Sequence, residues 1–63
     1  MNDIPHDKLA LSVREAAELL GISTPMMYQL TRAEGFPAFH IGTRTVISRA
    51  RLTDWVDAQA MKS

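Results

Sequence analysis

The chain has 63 residues, a formal net charge of zero and no cysteine. A chain this short makes one domain with a thin core, and the absence of cysteine excludes disulfides and the paired Cys/His ligands of a structural zinc site. We therefore expect a binding module rather than an enzyme, with no catalytic residue, cofactor, metal or small-molecule substrate. The first residues lack a basic leader and no apolar run has transmembrane length, so the expected protein is soluble and cytoplasmic, with no membrane partner.

The zero net charge conceals an uneven distribution along the chain. Residues 1–20 sum to −2 and residues 52–63 to −1, whereas residues 21–51 sum to +3, because four arginines there outnumber a single acid, Glu34. The steering of a polyanion depends on the local potential more than on the net charge. The middle of the chain is therefore the part expected to meet a negatively charged partner.

A capping box marks the first helix. Residues 1–10 are predicted to form a flexible arm, and Ser12 followed by Glu15 then fits the S/T-x-x-E pattern. Gly21 suits a left-handed cap at the other end, so a helix is predicted from about Val13 to Leu20. Its buried stripe has helical spacing and comprises Val13, Ala16, Ala17 and Leu20.

A second helix is predicted to begin only three residues later. Ser23 or Thr24 can cap it, Pro25 suits its first turn, and Gly35 is expected to end it. One side of this helix is expected in the core: Met27, Leu30 and Thr31, with Met26 flanking them. The opposite side carries Pro25, Tyr28, Gln29 and Arg32.

Two short β-prone runs then flank the tripeptide Gly42-Thr43-Arg44. They predict a two-stranded hairpin in which Gly42 supplies the positive φ of a tight turn. Alternation along the first run predicts that Phe39 and Ile41 face the core and that His40 faces solvent.

A third helix is predicted from about Arg49 to Ala60, with Ser48 as its cap and residues 61–63 frayed. Together the elements predict a mostly α fold with a two-stranded β-hairpin, in the order α-α-β-β-α. The domain is expected to span residues 11–60. This arrangement is a winged helix-turn-helix.

The second helix has the properties of a DNA-reading helix, because its polar side would stand clear of the body and reach base edges in the major groove. Gln29 can bond adenine in a bidentate manner, and Thr24 can donate or accept. Arg32 suits a phosphate, and Arg44 on the wing suits the negative potential of the minor groove. Taken alone, such a polar helical face is more often ordinary solvated surface.

The run "LSVREAAELLGISTPMMYQLTRAEGFPAFHIGTRTVISRARLTDWV", residues 11–56, resembles the excisionase-like, MerR-type winged-helix family of small phage and mobile-element regulators. The resemblance lies in the E-A-A-x-x-L-G-I-S opening, the P-x-x-x-I-G entry to the wing, Arg44, and the closing helix with Leu52 and Trp55. It implies binding of double-stranded DNA without catalysis. Members act as excisionases, which bend DNA and recruit an integrase, or as small transcriptional regulators.

The resemblance also assigns roles to residues. The implied base-reading residues are Thr24, Pro25, Tyr28 and Gln29. The implied contacts to backbone or minor groove are Ser12, Arg14, Arg32, Thr43 and Arg44. Relatives often carry basic residues where this chain has neutral ones in the second helix and the wing, so we expect a weak monomer that needs an integrase or a further copy on an adjacent site.

A protein-interaction module on the same fold is the alternative, with little DNA affinity. Its candidate anchors are Tyr28, Phe36 and Trp55. The near-zero net charge favours this alternative, and the +3 segment in the middle of the chain disfavours it.

Overall fold

The computed structural model describes residues 8–62, which form three helices and three strands. In chain order the elements are β1 (Ala10–Ser12), α1 (Val13–Leu20), α2 (Thr24–Thr31), β2 (Ala38–Ile41), β3 (Arg44–Ser48) and α3 (Arg49–Lys62). α1 and α2 are the predicted helix pair, and β2 with β3 is the predicted hairpin, or wing. The expected winged helix-turn-helix is confirmed.

The predicted two-stranded hairpin of β2 and β3 is confirmed, and a third strand, which the prediction lacked, completes the sheet. β1 pairs antiparallel with β3, so the strand order is β1-β3-β2. Ala10, which the sequence placed at the end of the arm, pairs with Ser48, and Leu11 pairs with Ile47. Leu11 and Ile47 are both fully buried, and this burial stabilises the added strand. Residues 1–7 of the predicted arm lie outside the described residues.

The predicted bounds of α1 are confirmed, because local interactions fix both of its ends. Ser12 Oγ accepts from the Glu15 backbone N–H at 3.0 Å, and Glu15 Oε1 accepts from the Ser12 N–H at 2.9 Å, which completes the capping box. At the other end Gly21 has φ 72°, and the Ile22 N–H donates to the Ala17 carbonyl at 3.0 Å.

The start of α2 is confirmed, but its predicted end at Gly35 is wrong. Ser23 Oγ accepts from the Met26 N–H at 3.2 Å, so Ser23 is the cap. The helix ends at Thr31, where the last turn tightens: the Arg32 and Ala33 N–H groups donate to carbonyls three residues back, at 3.2 and 2.9 Å. Gly35, at φ 85°, lies in the loop beyond the helix.

The first strand of the wing exposes His40, as expected, but it does not bury Phe39 and Ile41, which were expected to face the core. Ile47 pairs with Leu11 on one side and Ala38 on the other, so these three residues define the core face of the sheet. Phe39 and Ile41 therefore lie on the outer face, 42% and 58% exposed. The predicted alternation of buried and exposed residues along β2 is therefore shifted by one residue. Ile47, in the central strand, determines which face of the sheet is buried.

The last helix, α3, begins as predicted and extends to Lys62, two residues past its expected end. Ser48 Oγ accepts from the Arg51 N–H at 3.3 Å, so Ser48 caps the helix. Trp55 packs edge-to-face on Phe36, with the ring centroids 4.9 Å apart. Ser63 lies outside the described residues. Between residues 8 and 62, no helix is both long enough and apolar enough to span a bilayer.

The core lies between the helices and the inner face of the sheet. α1 contributes Val13, Ala16 and Ala17 to it, whereas α2 buries only Met27 completely. Met26 is 48% exposed, so its expected place in the core is wrong. The other members of the cluster are Leu11, Phe36, Ile47 and Leu52, with Leu20, Ile22, Leu30, Ala38 and Trp55 packed against them.

Candidate nucleic-acid interface

An open groove of about 430 Å³ lies where the start of α1, the outer side of α2 and the wing meet. Its lining comprises Ser12, Val13, Arg14, Tyr28, Thr43, Arg44 and Thr45. We call it the wing groove. It brings together five of the nine residues for which the resemblance implied a DNA contact: Ser12, Arg14, Tyr28, Thr43 and Arg44.

The wing groove has a positive lining without a carboxylate. Arg14 enters it from α1 and Arg44 from β3; the two residues are 30 positions apart in sequence, and both are exposed. Neither arginine has an acidic neighbour among the lining residues. Two cations at one open surface raise the local potential, although the whole chain has no net charge.

Ser12 contributes to the groove mainly through the structure of α1. Its hydroxyl oxygen already accepts the Glu15 N–H, and the Glu15 carboxylate stands at the helix N-terminus. Lys8 Nζ donates to both carboxylate oxygens of Glu15 at 2.7 Å. The Lys8 ammonium, and then the Ser12 backbone N–H, lower the pKa of Glu15 below its ordinary value. Because this carboxylate offsets the positive end of α1, the positive charge at this side of the groove comes from Arg14.

The outer surface of α2 joins the wing groove through Tyr28. Pro25, Gln29 and Arg32 are exposed and Tyr28 is 49% exposed, as the polar side predicted for this helix requires. Thr24 is only half-buried in the first turn, so part of it remains accessible. Gln29 and Arg32 do not line the groove itself, and Arg32 lies just beyond the last residue of the helix, at its C-cap.

Sequence reasoning missed two members of the wing groove, Val13 and Thr45. Thr45 pairs with His40 in the wing and stands two residues before the buried Ile47, so it shares the inner face of the sheet. This face continues past the end of the core into the groove. Alternation counted from Ile47, instead of from Phe39, would have found Thr45.

Two of the three anchors considered for a protein partner are structural. Phe36 is 8% exposed, belongs to the core and contacts Trp55, which packs against the same cluster. Only Tyr28 is widely exposed, and it lies in the wing groove. The three residues that would anchor a protein partner therefore do not form one exposed surface.

Comparison with known proteins agrees with the geometry. Residues 10–60 match the protein-family model described as a helix-turn-helix domain. The chain belongs to this helix-turn-helix family. Its membership supports binding of DNA through the helix pair α1 and α2. No curated protein and no solved structure gave a significant match.

Proposed function

We propose that this helix-turn-helix protein binds double-stranded DNA, with α2 in the major groove and the wing on the backbone or in the minor groove, and that it acts without catalysis. The supporting observation is the wing groove, in which Arg14, Arg44 and Tyr28 from three separate elements meet beside the exposed side of α2. Two arginines beside the exposed polar side of a helix match a duplex, whose phosphates flank the base edges.

The size of α2 sets how much sequence it can read. Eight residues at about 1.5 Å each give a helix about 12 Å long, close to the width of the major groove. Gln29 and Thr24 are the base-reading residues of this proposal, with Pro25 and Tyr28 beside them. Arg14, Thr43 and Arg44 contact backbone or minor groove, and Arg32 contacts a phosphate at the end of α2.

A salt titration on random-sequence duplex tests the proposal. Each phosphate contact changes the slope of log K against log salt by about one. Arg14→Ala and Arg44→Ala should each flatten the slope by about this amount and weaken all sequences equally. Arg51→Ala is the matched control, because Arg51 is exposed but lines a different surface, with Trp55 and Asp54. Absence of binding by the parent even at low salt would favour the protein-interaction alternative.

We further propose that the protein serves as an excision factor or as a small phage-type transcriptional regulator. A two-turn reading helix and few phosphate ligands support a monomer of modest affinity, so stable occupancy would require an integrase or a further copy on an adjacent site. Circular-permutation gel shifts and co-binding with an integrase distinguish the two roles. DNA bending with integrase recruitment supports excision, whereas binding to a promoter without either supports regulation.

A further inference from the structure

A second groove, of about 300 Å³, lies between the C-terminal end of α1 and one side of α3. Leu19, Leu20, Arg49, Leu52, Thr53, Val56 and Asp57 line it. Leu19 is 46% exposed and Val56 37%, so apolar side chains from two helices meet here at the surface. We call this the helix groove.

The charges of the helix groove are arranged symmetrically about its apolar centre. Arg49 lies at the first residue of α3 and Asp57 eight residues later, about 12 Å along the axis at 1.5 Å per residue. Thr53 stands midway between them. In an antiparallel copy of α3 related by a two-fold axis near Thr53, each Arg49 would face the Asp57 of the other copy.

We infer that the helix groove is a self-complementary surface through which two copies of this chain form a two-fold dimer. A two-fold interface uses the same patch on both molecules, so the patch must complement itself in charge and in apolar contact. The helix groove does so: Leu19 and Val56 supply apolar area beside the axis, and the pair Arg49 and Asp57 supplies two ionic contacts that fix an antiparallel orientation.

The position of the helix groove leaves the wing groove free. The two grooves meet opposite ends of α1, Ser12 to Arg14 at one and Leu19 with Leu20 at the other. A dimer formed at the helix groove therefore presents two wing grooves and two copies of α2. Dimerisation itself does not depend on DNA binding. The role of the dimer would be to occupy two adjacent DNA sites together, and this role rests on the function proposed above.

Sedimentation velocity of the purified chain, without DNA, tests the inference over a concentration series up to about 1 mM, the range of a weak specific contact. The parent is expected to show a concentration-dependent dimer. Val56→Glu should raise the dimer dissociation constant at least about tenfold, because it places a carboxylate at the apolar centre. Met61→Glu is the matched control: Met61 is an exposed residue of the same helix outside the groove, and this change should have no effect.

A charge-exchange mixture tests the antiparallel orientation. Asp57→Arg alone and Arg49→Asp alone place like charges together and should both be monomeric. Mixed in equal amounts, the two variants should form a heterodimer, since each arginine then faces an aspartate of the other chain. Arg49 also interacts within its own chain, so circular dichroism checks the fold of each variant. If Arg49→Asp does not fold, Asp57→Arg against the parent remains a test.

Three results would overturn the inference: a parent that stays monomeric throughout the series, a dimer that Val56→Glu does not weaken, or mixed variants that fail to associate although both fold. The affinity of the Val56→Glu variant for a single DNA site is measured separately. It depends on the wing groove and not on dimerisation. Loss of dimerisation with retained single-site binding is the expected combination, so failure of the DNA proposal and failure of this inference give different results.

Discussion

α1 and α2 are both eight residues long and adjacent in sequence, yet they are held in different ways. α1 has a complete capping box, an ion-paired acid in its first turn, a left-handed glycine cap and three buried residues. α2 has one serine cap, no acid in its first turn and one buried residue. The difference shows how a small domain can free one helix for contact: α1 is anchored by its own ends and by the core, whereas α2 depends on few contacts and keeps its outer side exposed.

The largest expected effect is the loss of the one buried side chain of α2. Met27→Ala should reduce the free energy of unfolding by about 2–5 kcal/mol, the usual cost of truncating a fully buried methionine. Met26→Ala, one residue away and half exposed, should change it by less than about 0.5 kcal/mol. Urea denaturation measures both. Equal effects at the two positions would contradict the assignment of Met27 as the anchor of α2.

The exposed side of α2 should matter for DNA and little for stability. Gln29→Ala should relax discrimination at one base pair by about 1–3 kcal/mol if Gln29 makes a bidentate contact. Arg44→Ala should instead weaken binding to all sequences alike. A mobility-shift panel of single-base variants of a bound site separates these two effects. If both variants bind like the parent, the proposed interface is wrong.

The caps provide a direct comparison of the two helices. Ser12→Ala should reduce the free energy of unfolding by about 1–2 kcal/mol and Ser23→Ala by about 0.5–1 kcal/mol, within the usual range for loss of a cap. The larger value is expected for Ser12 because its cap is reciprocal: Glu15 also accepts from the Ser12 N–H. Thermal melts followed by circular dichroism measure both. A larger loss at Ser23 would reverse the proposed difference between the helices.

The smallest effect is a pH dependence that belongs to α1. The Lys8 ion pair and the Ser12 N–H hold the pKa of Glu15 below its unfolded value, so the folded state binds this proton less readily. The stabilisation is complete above the ordinary pKa of glutamate, about 4.3, and is lost as the pH falls through the lowered pKa. Glu15→Gln should flatten the dependence of unfolding on pH in this acidic window. Glu34→Gln serves as the control, because Glu34 is exposed and lies outside both helices.

Prediction from sequence succeeded where the determining interactions are local. The bounds of α1 follow from Ser12, Glu15 and Gly21, which lie within or next to the helix they cap. The start of α2 follows from Ser23 for the same reason. The residue types of the proposed DNA contacts follow from the sequence as well, whereas the meeting of five of these nine residues at one groove depends on how α1, α2 and the wing pack.

Prediction failed where a distant partner decides. The facing of Phe39 depends on Ile47, which pairs with Leu11 from the far end of the domain. The predicted end of α2 failed for a different, local reason: the last turn tightens through hydrogen bonds between residues three apart, and the helix ends at Thr31, one turn before the expected stop at Gly35. No local pattern in residues 36–48 indicates which face of the strands will be buried against the core.

The amino-acid sequence by itself determined the capped helix pair, the turn of the wing and the concentration of arginine in the middle of the chain. These properties depend on neighbours within about four residues or on composition alone. Only the tertiary structure decided that β1 joins the sheet, that Phe39 and Ile41 face outward, and that Arg14 and Arg44 share one groove. Strand pairing and burial depend on residues that are distant in sequence, and their free energy is gained only when the whole core assembles.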